Sequence, residues 1–241
     1  MKKNTWLAII AIFCIIGSSI QLGSSASTPP FDPEPKKLGF ILYSTDAIEF
    51  SAVIRYSMIL ANEGYQVQYR ADLSDIPGFF AALNALEGPD DTVFVYIGGH
   101  GNYLNGDSYV KLKPGGSYLY SSVFRTYMDL LQAENKGFLI EACFSGGFTE
   151  DFANHPNILA MTSANKYREA CAVDELPSEG KFSMYFWNRI DAGDNAIEAF
   201  NYAKIYTGPQ LPQIIHTTSY DFFAPVPSPP ESIPPPPPVE T

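Results

Sequence analysis

Between residue 38 and about residue 220, two hydrophobic periodicities alternate along the chain. Short continuous apolar runs, the composition of strands buried on both faces, are separated by stretches whose apolar residues recur every three or four positions. "KLGFILYST" predicts a first strand, and "AIEFSAVIRYSMILANEG" a helix that stops at Gly64. "YQVQYRA" follows as a second strand, "IPGFFAALNALEG" as a short helix and "DTVFVYIGG" as a third strand. A polar loop leads to a helix over "SSVFRTYMDLLQAEN", with serine as its N-cap. "GFLIEACFSGG" and "NILAMTSA" read as the fourth and fifth strands, "FSMYFWNRIDAG" and "NAIEAFNYAKIYTG" as two helices, and "PQIIHTTS" as a final strand. This alternation predicts an α/β domain with a mostly parallel sheet and helices on both faces. Ligands of such sheets bind beyond the carboxyl ends of the strands. The loop after the first strand has no glycine, which argues against a dinucleotide or nucleotide site there.

The ends of the chain depart from the pattern. Residues 1–26 combine Lys2 and Lys3, the apolar run "WLAIIAIFCIIG", and small residues at Ser24 and Ala26. These are the three parts of a secretory signal, with cleavage expected after Ala26. The run is short for a membrane span, and an uncleaved anchor is the alternative through which a membrane would be a partner. Residues 27–37 read as a linker, 38–223 as the folded domain and 224–241 as a proline-rich, semi-rigid tail. The organisation predicts a secreted or extracytoplasmic protein, with the cell surface as one destination.

Charge and cysteine count narrow the chemistry. The net charge of −11 becomes −13 once Lys2 and Lys3 leave with the signal. No basic run remains to form a phosphate-binding stripe, so nucleic acid is not an expected partner. Without Cys14 only Cys143 and Cys171 remain, too few for a disulfide framework. No His/Cys cluster has zinc spacing, and neither a metal nor a cofactor is expected.

Two strand ends carry reactive side chains. His100 follows the third strand in "VFVYIGGHG", and Cys143 ends the fourth in "FLIEACFSGGF". Were those strands neighbours, imidazole and thiol would project from one edge of the sheet, the pair that a cysteine nucleophile needs. Gly101 would present an N–H uncrowded by a side chain. With the Cys143 N–H it would form an oxyanion hole. His155 precedes a proline in a connecting loop and reads as a surface residue. His216 lies in the last apolar run and reads as packed. Cys171 is a second thiol that could pair with Cys143 under oxidising conditions and switch an enzyme off.

"VFVYIGGHG" followed by "FLIEACFSGGF" resembles the paired signature of legumain-like cysteine peptidases, within the caspase-like group. "LAMTSANKYREACAVDE" is similar to the family's next strand and loop. The resemblance implies a caspase-like three-layer sandwich, with His100 and Cys143 as the catalytic pair. It also implies proteolysis of protein or peptide substrates, after asparagine or aspartate in the legumain branch. Of the family's pocket acids, Glu141 matches. The family's Asn-x-Arg near the first helix falls on Ser51 and Val53, so its arginine is missing. Ser51 is a candidate to orient the histidine. A pocket serine falls on Ala170 and a later aspartate on Lys181, with Asp174 nearby. Lys181 would favour an acidic side chain, whereas Glu141 and Asp174 would favour a basic one or an amide. Two further functions remain open: a transpeptidase or transamidase using the same pair, and a catalytically inactive binding module of the same fold.

Overall fold

The computed structural model describes residues 34–173 and 177–223. The expected signal, most of the linker, the proline-rich tail and Asp174 lie outside the described residues. The central sheet has six strands in the order β2-β1-β3-β7-β8-β9. They are β1 (Lys37–Tyr43), β2 (Gln66–Ala71), β3 (Thr92–Gly98), β7 (Asn135–Glu141), β8 (Ile158–Thr162) and β9 (Gln213–His216). All neighbouring strands are parallel except β8 and β9. The sheet therefore follows the sequence-based expectation, with one antiparallel edge.

Strand composition explains strand position. Every residue of β3 and β8 is buried, as central strands covered on both faces require. Phe94 and Tyr96 of β3 face one layer, formed by α1 (Phe50–Asn62), α5 (Lys181–Asp191) and α6 (Ala196–Thr207). Val93, Val95 and Ile97 face the other layer, formed by α2 (Ile76–Leu86), α3 (Ser121–Leu130) and α4 (Gly147–Glu150). The period-2 alternation thus feeds two cores from one strand. Trp187 stacks on Tyr56 and meets Phe94 edge-on, and each such ring contributes about 1.5–3 kcal/mol through burial.

Four expectations are corrected. The segment read as a polar loop is a second sheet of three antiparallel strands: β4 (His100–Leu104), β5 (Asp107–Lys113) and β6 (Gly116–Tyr120). Asn105 and Gly106, both at positive φ, make the two-residue turn between Leu104 and Asp107. Helix α3 is capped by Tyr120, not serine. Asp107 accepts from the Ser121 and Ser122 N–H groups instead, so β5 caps the helix. His155 is buried rather than on the surface, with Nε2 3.0 Å from Asp129, and His216 is exposed on edge strand β9 rather than packed. No helix among the described residues is long and apolar enough to cross a membrane.

Candidate active site

β3 and β7 are adjacent and parallel, with Gly98 opposite Glu141. His100 and Cys143 each lie two residues past those partners. Both line one cleft of about 160 Å³ beyond the carboxyl ends of the strands. Both residues therefore line the place where the sheet topology predicts a ligand site.

The glycines around His100 are steric requirements. The chain leaves β3 at Gly98 and enters the second sheet at His100, so the turn must pass close to other backbone. A Cβ on Gly101 would lie 2.0 Å from the Cys143 carbonyl oxygen, so only glycine lets β4 run against the nucleophile segment. Phe144, directly after Cys143, sits at φ 56, in the left-handed region. A bulky residue there costs about 1–3 kcal/mol, a form of strain concentrated at functional sites. It is held in place by two bonds: Phe144 N–H donates to the Arg168 carbonyl at 2.7 Å, and Ser108 Oγ donates to the Phe144 carbonyl at 2.6 Å. Ser108 also accepts from Gly147 N–H, which ties the second sheet to the nucleophile turn.

The histidine is oriented from the turn that follows β1 and from β5. Its Nε2 lies 3.2 Å from the main-chain oxygen of Asp46 and 3.8 Å from Oδ1 of the same residue. Lys111 Nζ contacts Asp46 Oδ2 at 2.7 Å, and Ser44 Oγ donates to Oδ1 at 2.5 Å. Although burial opposes it, those two bonds and the Lys111 charge hold the Asp46 carboxyl below its usual value. None of Asp46, Lys111 and Ser44 was picked out from the sequence. A main-chain carbonyl has no residue signature, and Lys111 becomes a neighbour only once β4 and β5 pair.

The thiol stands in the opposite electrostatic setting. Burial pushes the Cys143 thiol up, and the Glu169, Glu141 and Cys171 charges add to this, while a 3.7 Å contact with the Ala170 carbonyl works the other way. Cys171 is a free, exposed thiol lining the same cleft. Glu141 is fully buried beneath it. Its Oε2 accepts from the N–H and hydroxyl of Ser183, at 2.7 and 2.6 Å. Burial raises its carboxyl above the usual value, with the Ser183 and Ser163 groups working against the rise.

The remaining sequence candidates divide. Ala170 lines the cleft. Ser51 is exposed on α1 and lines a separate depression with Arg55 and Glu179, so it does not orient His100. Lys181 begins α5 but is not part of the cleft wall, which is formed there by Gly180. Val53 is buried in the core beside Tyr56.

A model of the peptidase C13 family matches residues 78–204, a span that includes both His100 and Cys143. The chain belongs to that family. It is a legumain-like cysteine peptidase of caspase-like fold. Among solved structures, this C13 peptidase is similar to caspase-1 from Spodoptera frugiperda, with a TM-score of 0.60 and 14% identity over 79% of this chain and 90% of that one. It is also similar to protein GSU0716 from Geobacter sulfurreducens, with a TM-score of 0.58 and 10% identity over 79% and 97%. At those identities the likeness shows the fold alone. No curated protein matches the chain.

Proposed function

We propose that this chain is an extracytoplasmic endopeptidase in which Cys143 is the nucleophile and His100 the general acid and base. The observation that carries the reading is that both side chains line one cleft at the ends of adjacent parallel strands. A carbonyl can only accept, so contact with the Asp46 oxygen assigns the neutral ring's proton to Nε2 and leaves Nδ1 to act as base. The raised thiol argues against a standing thiolate–imidazolium pair. His100 therefore takes the thiol proton as Cys143 attacks the peptide carbonyl carbon. The resulting oxyanion is held by the Gly101 and Cys143 N–H groups. The C–N bond breaks, the imidazolium protonates the departing amine, and a thioester remains. Water, deprotonated by His100, then attacks the thioester, releasing the carboxylic acid and regenerating the thiol.

Turnover of a fluorogenic peptide library by purified protein, with Cys143→Ala and His100→Ala as controls, tests the reading. Loss of at least a thousandfold in kcat/KM is expected for each variant. Ordinary turnover by Cys143→Ala would end the proposal. Including an amine nucleophile reports the acceptor: hydrolysis products alone support a peptidase, whereas an amide product identifies a transamidase with the same pair. An active-site thiol probe that leaves Cys143 unlabelled would point to a binding module. Export is tested by N-terminal sequencing of secreted protein, for which Ser27 is the expected first residue.

A further inference from the structure

The cleft beside Cys143 contains an acceptor without a partner. Glu141 Oε2 is satisfied twice by Ser183, but Oε1 is buried and receives no hydrogen bond of normal geometry. Ser163 lies near enough to favour the anion without completing such a bond. Gly180 leaves the space this carboxylate needs: a Cβ there would lie 2.3 Å from Glu141 Cδ. The cleft wall above it is small and apolar, from Ile48, Ala142, Ala170 and Ala172.

No lysine or arginine among the described residues lines this cleft. Val53 stands where the resembling family carries its pocket arginine, and it is packed in the core. A second acid, exposed Glu169, lies close enough for its charge to act on the Cys143 thiol together with that of Glu141. Asparagine chemistry in a mixed-charge pocket needs a cation that this wall does not supply. An aspartate would place a third carboxylate beside two others. We infer that the cleft receives a basic side chain, so that cleavage follows lysine or arginine. An ammonium or guanidinium would give Glu141 Oε1 a charge-assisted bond and supply the counter-charge that burial denies it. This inference rests on the peptidase reading and names its substrate class.

The test compares peptides that differ only in the residue before the scissile bond: Lys, Arg, Asn, Asp or Ala. Wild-type protein is expected to cleave the Lys or Arg peptide at least tenfold more efficiently than the Asn and Asp peptides. In Glu141→Gln that advantage over the Asn and Asp peptides should fall at least tenfold. A wild-type preference for Asn or Asp overturns the inference while leaving the peptidase reading intact, and needs no variant that might misfold. The same peptides are also titrated into Cys143→Ala, where binding is read by fluorescence anisotropy without catalysis. Tighter binding of the basic peptides there supports the inference even when wild-type turnover is absent, an outcome that counts only against the peptidase reading. Equal binding of all five peptides overturns the inference.

Discussion

The main-chain oxygen of Asp46 lies 3.2 Å from Nε2 of His100, and the Asp46 carboxylate is gripped by Lys111, the residue directly opposite His100 in the β4–β5 ladder. One residue thus orients the imidazole with its backbone while its side chain is anchored to the same hairpin. Lys111→Met cuts the anchor without touching the cleft. Its kcat should fall between about tenfold and a hundredfold, the cost of misplacing a reacting group by a fraction of an ångström to an ångström, with KM nearly constant. Steady-state kinetics on a cleaved peptide provide the measurement, and an unchanged kcat rejects the role.

Gly101→Ala and Gly116→Ala should behave differently. The first would drive a methyl into the Cys143 carbonyl, whereas the second meets nothing within 4 Å. Overpacking at Gly101 should cost about 1–3 kcal/mol and abolish most activity. Gly116→Ala should be close to neutral. Thermal melts of the two purified variants give the comparison, and similar Tm values would show that the close approach is unimportant.

Glu141 gives stability a pH dependence of known sign. Its folded carboxyl is raised above the ordinary value of about 4.5, so the folded state holds the proton more tightly than the unfolded chain. The stabilisation is complete below that value and is lost as pH rises through the folded pKa. The Tm of wild type relative to Glu141→Gln should therefore decline from pH 4 upward. A difference that grows with pH would contradict the raised carboxyl.

Alkylation of Cys143 should be half-maximal on the alkaline side of an ordinary thiol, because burial and then the neighbouring carboxylates disfavour the thiolate. Glu169→Gln removes one of those charges and should move the midpoint down. Mass-resolved iodoacetamide kinetics separate Cys143 from Cys171, and a midpoint unmoved by Glu169→Gln would show that its charge does not reach the sulfur.

Cys171 shares the cleft, and the carbonyl of the residue before it touches Cys143 Sγ at 3.7 Å. Glutathione disulfide should join the two sulfurs, each thiol losing a hydrogen as the oxidant becomes two glutathione thiols. Activity should disappear and return with dithiothreitol, and Cys171→Ser should resist. Two free thiols by mass spectrometry after treatment would reject the pairing.

The sequence carried the fold where burial was two-sided. β3 and β7 are legible through the continuous apolar runs "VFVYI" and "FLI", whereas their adjacency is only a condition of the sequence reading and comes from the sheet order. The second sheet was missed although Asn105-Gly106 between alternating runs is a strong hairpin signal; tyrosine and lysine on its exposed face gave it the composition of a loop. His100 and Cys143 were legible from reactive residue types at strand ends. Ser51 was misplaced because its proposed role was carried over from a motif, while the oriented contact comes from a backbone oxygen that any residue could supply. Ser108 and Ser183 gave no signal, since a serine becomes meaningful only when its partner, here Phe144 or Glu141, is known.

His100 belongs to the three-stranded sheet, whereas Cys143 hangs from the six-stranded one, with Gly99 the single residue between β3 and β4. The two reacting groups are thus mounted on separate sheets, joined by the burial of Val110, Leu112 and Leu119 against the central sheet and by Ser108 and the Asp46–Lys111 pair. Loosening that joint would pull the pair apart while the core on the α1, α5 and α6 face keeps its packing. Heat or denaturant should therefore silence this protein before it melts, so that loss of catalysis reports the failure of a joint rather than of the fold.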